Sequence, residues 1–94
     1  MQNLNFLHVG YIDIGLYFGA FNPVHDGHLH VAKYVLNSTD LDEIWLVLTP
    51  QSPHKTENIL IDFYHRYKML ELVCKKHKCI FPSDIEKMLI KPNY

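Results

Sequence analysis

The sequence predicts an α/β fold with a parallel sheet in the order βαβαβ, and three features predict it. Two short segments, 12–18 and 43–49, are apolar on both faces, as strands buried inside a parallel sheet are. Each is followed, after a loop, by a segment whose apolar residues recur at helical spacing. A loop rich in glycine, proline and histidine, "GAFNPVHDGH" at 19–28, links the first strand to the first helix.

In chain order, "IDIGLYF" at 12–18 is the first strand and stops at Gly19. From about Gly27 to Asn37, Leu29, Ala32, Val35 and Leu36 share one helical face, and the turn-forming "NSTD" closes that helix. "EIWLVLT" at 43–49 sets Ile44, Leu46 and Leu48 on one face and Trp45 and Val47 on the other, so a second strand with a core Trp45 is expected. Pro50 and Pro53 bracket a polar loop, after which Asp62 caps a helix carrying Phe63, Tyr67, Leu70 and Cys74. A short third strand is expected at about Lys78–Phe81. "PSDIEKMLIKPNY" has no clear period, and residues 1–11 read as a loosely attached N-terminal extension to a domain over 12–94.

Right-handed crossovers that step in one direction along a sheet place both helices on the same face. The other face then needs a cover. A doubly wound fold supplies it with a second βαβ half, which 94 residues are too few to contain. A domain cut short at its C-terminus is therefore expected, with a partner chain, such as a homo-oligomer, or a longer protein covering the exposed sheet face.

Composition narrows the class. Apolar residues at 48% and charged residues at 20% exclude a disordered or fibrous chain. Nine Lys and Arg against ten Asp and Glu leave a net charge of −1, so no broad basic field would draw the chain to a nucleic acid polymer or a membrane. Cys74 and Cys79 form no CxxC pair, and no apolar run approaches spanning length. A reduced, cytoplasmic setting is expected.

The loop at 19–28 carries the chemistry. The turn after the first strand of an open α/β sheet is the usual place for a phosphate. Gly19 lets backbone approach a ligand, Pro23 stiffens the turn, and Gly27 lets His28 open a helix whose N-terminal N–H groups favour an anion. His25 and His28 can then point at one phosphate. A plainer reading stands beside it, in which His28 caps the helix and His25 is a solvated turn residue. Metal ligation by His25, Asp26 and His28 lacks a further ligand at fixed spacing. A nucleophilic cysteine or serine finds no support either, since Cys74 lies on the apolar stripe of its helix and no GxSxG occurs. His30, His54, His65 and His77 have no spacing that gathers them.

"GLYFGAFNPVHDGH" resembles the G-x-F-[DN]-P-x-H-x-G-H signature of the HxGH nucleotidyltransferases. "WLVLTPQSPHK", "HRYKMLELV" and "SDIEKMLIKPNY" are similar to stretches of the bacterial nicotinate-nucleotide adenylyltransferase family. The resemblance runs from about Ile14 to Tyr94 and implies the βαβαβ half of a Rossmann-like, HUP-like nucleotidyltransferase fold. The family continues beyond this point into an ISxT-type motif that helps hold ATP.

The resemblance implies AMP transfer from ATP to nicotinate mononucleotide, giving deamido-NAD and pyrophosphate, with Mg²⁺ arriving on ATP. His25 and His28 would be the catalytic pair on the phosphates. Gly19, Ala20, Phe21, Asn22, Pro23 and Gly27 would form the nucleotide-binding loop. Lys55 would add charge near a phosphate or stay a solvated loop lysine, and Arg66 would be a ligand contact or a structural residue. The alternatives are a pantetheine-phosphate adenylyltransferase or cytidylyltransferase-type enzyme, or an inactive half-domain that assembles with a partner.

Overall fold

A computed structural model of the chain describes residues 4–50 and 62–89. Its order is β1 (Leu4–Val9), β2 (Ile12–Gly19), α1 (Asp26–Ser38), β3 (Glu43–Leu48), α2 (Phe63–Cys74), β4 (Ile80–Ser83) and α3 (Ile85–Leu89). The four strands form one sheet in the order β1-β2-β3-β4.

The βαβαβ unit is present. β2, β3 and β4 are parallel neighbours, with Gly15 opposite Ile44 and Ile44 opposite Ile80. The expectation of a parallel sheet needs one correction, because β1 pairs antiparallel with β2 and makes the sheet mixed. Leu4–Val9 is thus a paired edge strand and no loose arm. The hairpin turn holds Gly10 at φ +59°, in the left-handed region that glycine adopts without cost. The third parallel strand lies slightly later than expected, and α3 forms within the segment that has no clear period.

Strand parity sorts the side chains into two faces. Ile44, Leu46 and Leu48 of β3 and Ile80 of β4 pack with Ala32 of α1 and with Leu70 and Cys74 of α2 in the core. Both long helices therefore cover one face, as successive one-way crossovers require. Gly15 shares that face; a Cβ there would lie 2.8 Å from Leu41 Cδ1, so the bare backbone makes room for the chain leading into β3. The opposite face carries Ile12, Ile14, Leu16, Phe18, Trp45, Val47 and Phe81. Ile14 and Val47 are buried in its middle, whereas Ile12 and Phe81 are exposed. Trp45 lies there half-buried, its indole N–H donating to Glu43 Oε1 at 3.0 Å, rather than in the core.

Asp62 is the α2 N-cap that the sequence predicts, its Oδ1 accepting from the His65 backbone N–H at 2.9 Å. That bond and the neighbouring His65 hold the Asp62 carboxyl below the usual carboxylate range. α3 joins the end of β3, where the Thr49 hydroxyl donates to Glu86 Oε1 at 3.4 Å. No helix among the described residues is long and apolar enough to cross a membrane.

Candidate active site

The 19–28 loop leaves the carboxyl end of β2 beside the carboxyl end of β3, to which it is tied by the Thr49 N–H donating to the Gly19 carbonyl at 2.8 Å. At Phe21 the backbone turns with φ +43°, a strained conformation for a bulky residue. The turn drives the Phe21 ring inward, where it is 2% exposed and meets Tyr17 edge-on at 5.6 Å. Gly19 leaves room beneath it, since a Cβ at that position would crowd the ring at 3.2 Å. The Asn22–Pro23 peptide is cis.

The two histidines close on each other's backbone. The N-cap is His25, whose Nδ1 accepts from the Gly27 N–H at 3.0 Å, and His28 Nδ1 accepts from the His25 N–H at 3.0 Å. This is the reciprocal pattern of a capping box, with imidazoles in place of hydroxyl and carboxylate. The plainer sequence reading is thereby corrected in its roles: His25 is the cap and His28 returns the bond. Capping and ligand binding are also compatible here. With both Nδ1 atoms used as acceptors, each neutral ring carries its proton on Nε2, which remains available as a donor.

The rings lie 3.9 Å apart between centroids, and His28 meets Phe21 in an edge-type contact at 4.8 Å. Tyr17, from the strand below, stands 6.3 Å from His28. Burial, then the proximity of His25, pushes the His28 pKa below its ordinary value. Two neighbouring imidazoles thus stand at the capped N-terminus of α1 above an aromatic floor, a setting suited to phosphate oxygens.

Gly27 has a specific task in this arrangement. A Cβ there would lie 2.8 Å from His25 Cε1, so Gly27→Ala is expected to swing the His25 ring off its cap. The expected loss is about 0.5–2 kcal/mol of stability, as for other lost N-caps, read from urea midpoints. A second expectation follows from the depressed His28 pKa. The unfolded state takes up a proton near the ordinary value of 6.5 while the folded state resists it, so His28 contributes stability above that pH and loses it as pH falls towards the folded value. Thermal midpoints measured from pH 7.5 to 5.5 should fall with acidification, and less steeply in His28→Gln.

Arg66 is only 1% exposed. Its Nη1 donates to the carbonyls of Ala20 at 3.0 Å and Thr49 at 2.8 Å, and its Nη2 donates to the carbonyl of Pro50. The ring of Phe63 lies 5.7 Å from its Cζ. Burial lowers the guanidinium pKa and Asp62 opposes that shift. Lys55 and His54 lie outside the described residues. His30 on α1 and His65 on α2 are exposed, and His77 follows α2. Cys74 is a core residue, as its position on the stripe predicts, with burial pushing its thiol up to about 11.

Among the described residues, no three His, Cys, Asp or Glu side chains gather to hold a metal. Tyr17 is the site-forming residue that motif reading misses. Its parity with Gly15 and Gly19, on the helix-covered face, is the signal that could have found it.

The parallel unit of β2, α1 and β3 thus carries its histidine loop at the carboxyl ends of the strands, where open α/β sheets take ligands. The chain belongs to the cytidylyltransferase-like family, whose model matches residues 16–91. Within that family it is similar to curated proteins from Christiangramia forsetii and Flavobacterium psychrophilum, each described as a probable nicotinate-nucleotide adenylyltransferase. Identities are 47% and 46% over 81 residues, covering 86% of this chain and 42% of each relative. A solved structure of Plasmodium falciparum nicotinic acid mononucleotide adenylyltransferase complexed with NaAD superposes with a TM-score of 0.65 at 27% identity, over 84% of this chain and 40% of that one. The chain thus spans less than half the length of the relatives it matches.

Proposed function

We propose that this chain is the ATP-phosphate-binding front of an enzyme that transfers AMP from ATP to nicotinate mononucleotide, working in the cytoplasm in the synthesis of NAD. The observation that carries the proposal is the His25–His28 pair, whose Nδ1 atoms are occupied by backbone donors and whose Nε2 atoms are left as donors at the start of α1. The relatives' shared description supplies the substrate class.

In the proposed reaction an oxygen of the nicotinate mononucleotide phosphate attacks the α-phosphorus of ATP. A new P–O bond forms, the bond to the bridging oxygen of the β-phosphate breaks, and pyrophosphate leaves with the bond's electron pair. The attacking phosphate is already ionised at neutral pH, so no protein nucleophile is needed. What the protein contributes is alignment and donors aimed at the charge that develops. His28 Nε2–H and His25 Nε2–H would donate to phosphate oxygens. Backbone of Gly19, Ala20 and Phe21 would approach the nucleotides, with Asn22, Pro23 and Gly27 shaping the loop and Lys55 adding charge. Mg²⁺ takes oxygen ligands and would enter on the ATP phosphates, since Asp26 is the one carboxylate of the loop.

A second reading has its own support. The exposed Ile12 and Phe81 on the sheet face opposite the two long helices, and the short span against the relatives, favour a half-domain that binds nucleotide and turns over only when completed by a second copy or by further chain. Pyrophosphate release by the chain with ATP, Mg²⁺ and nicotinate mononucleotide, run beside nicotinamide mononucleotide, phosphopantetheine and CTP, separates these ideas. Release dependent on nicotinate mononucleotide supports the adenylyltransferase. ATP binding without release supports the half-domain, and absence of ATP binding by folded protein defeats both.

A further inference from the structure

We infer that Arg66 is a positioning residue for nucleotide binding: from behind the loop it fixes the direction of the Phe21 backbone N–H, and through its hold on Thr49 that of Ala20, and never touches the nucleotide. The inference rests on the proposed nucleotide-binding role of the loop and departs from that proposal in assigning Arg66 no ligand.

The geometry works through planar peptides. The Ala20 carbonyl is held by Arg66 Nη1, and in a trans peptide the next N–H, that of Phe21, points the opposite way. The Gly19 carbonyl is held by the Thr49 N–H, so the Ala20 N–H is likewise turned away from β3. The two consecutive amides, those of Phe21 and Ala20, thus point away from Arg66 and away from β3 respectively. The same guanidinium takes the carbonyls of Thr49 and Pro50, fixing the end of β3 against the loop. The spacing between the two strand ends is therefore held by this planar cation together with the Thr49–Gly19 backbone bond.

Arg66 is itself held from below. Phe63, one turn earlier on α2, carries the guanidinium on its ring and receives Lys87 of α3 at 4.7 Å. At 1% exposure the side chain presents no surface to a ligand. A lysine in its place supplies a point charge on a flexible stem and cannot span three carbonyls in one plane.

The test compares the wild-type chain with Arg66→Lys by backbone amide NMR, with and without MgATP. In folded Arg66→Lys, the Ala20 and Phe21 amide signals and the Phe21 HN–Hα coupling should change while those of Ile44 and Ile80 stay. MgATP affinity should fall at least ten-fold. Unchanged loop signals, or an affinity within two-fold of wild type, would overturn the inference. Should Arg66→Lys fail to fold, the wild type decides alone. Arg66 guanidinium signals that stay in place on MgATP addition uphold the inference, and a large shift of them makes Arg66 a ligand contact and overturns it. If the wild-type chain binds no MgATP, the nucleotide-binding proposal fails by itself, and the change or constancy of the apo loop signals still decides whether Arg66 sets the loop.

Discussion

Replacing His28 by alanine is expected to cut pyrophosphate release by about 100- to 1,000-fold, the usual cost of removing one donor aimed at developing charge. The effect has two sources, which a second variant separates. His28 Nδ1 accepts from the His25 N–H, so alanine also opens the capping box and frees the start of α1. Glutamine at the third helical position is the residue a capping box ordinarily uses, and its amide oxygen can accept that bond. His28→Gln should therefore keep most of the stability that His28→Ala loses, about 0.5–2 kcal/mol, while its amide sits where the Nε2–H no longer does. Activity near wild type in His28→Gln would show that the capped helix start, and not the imidazole donor, carries the chemistry. Steady-state pyrophosphate release and urea midpoints on the three proteins make the comparison.

Much of this site is legible in the sequence because it depends on local chemistry. Gly19, Gly27 and the histidines at 25 and 28 announce a tight βα turn at a helix start, and Asp62 announces the next helix. The placing of both long helices on one face of the sheet also follows from chain order alone, since each crossover steps the same way. What the sequence does not disclose is set by pairing and by contacts distant in the chain. β1 is mostly exposed, and it exists because its backbone finds β2; "NLNFLHV" has no strong alternation to mark it. The helical turn of α3 is similarly fixed by its seat at the end of β3, where Thr49 meets Glu86. Arg66 reads from the sequence as a structural residue or a ligand contact, and what it holds is disclosed only when the fold brings three carbonyls from two strand ends to it. The capping roles of the histidines invert for a related reason: which Nδ1 reaches which N–H depends on a backbone turn at Phe21 that no residue type specifies.

Phe21 is where the loop and the core are the same object, and Phe21→Ala is expected to be the most damaging single truncation in this chain. Deleting a buried phenylalanine costs about 3–5 kcal/mol, from lost apolar burial and from the cavity left behind. A domain of this size has a total stability of only about 5–14 kcal/mol at ordinary values per residue. The ring is in contact with Tyr17 and His28 and closes the core over Gly19, so its removal takes the floor from beneath the histidines as well. A strained left-handed backbone is retained by a well-packed side chain, and alanine at φ +43° keeps the strain while giving up the packing that pays for it. Phe21→Gly offers the contrast, because glycine adopts that φ freely: it should recover part of the backbone cost, yet remain well below wild type. Urea denaturation followed by Trp45 fluorescence gives the order wild type, then Phe21→Gly, then Phe21→Ala, with MgATP affinity falling in parallel. A Phe21→Ala protein within 1 kcal/mol of wild type would mean that the ring does not hold the loop to the core, and the aromatic floor of the site would have to be withdrawn.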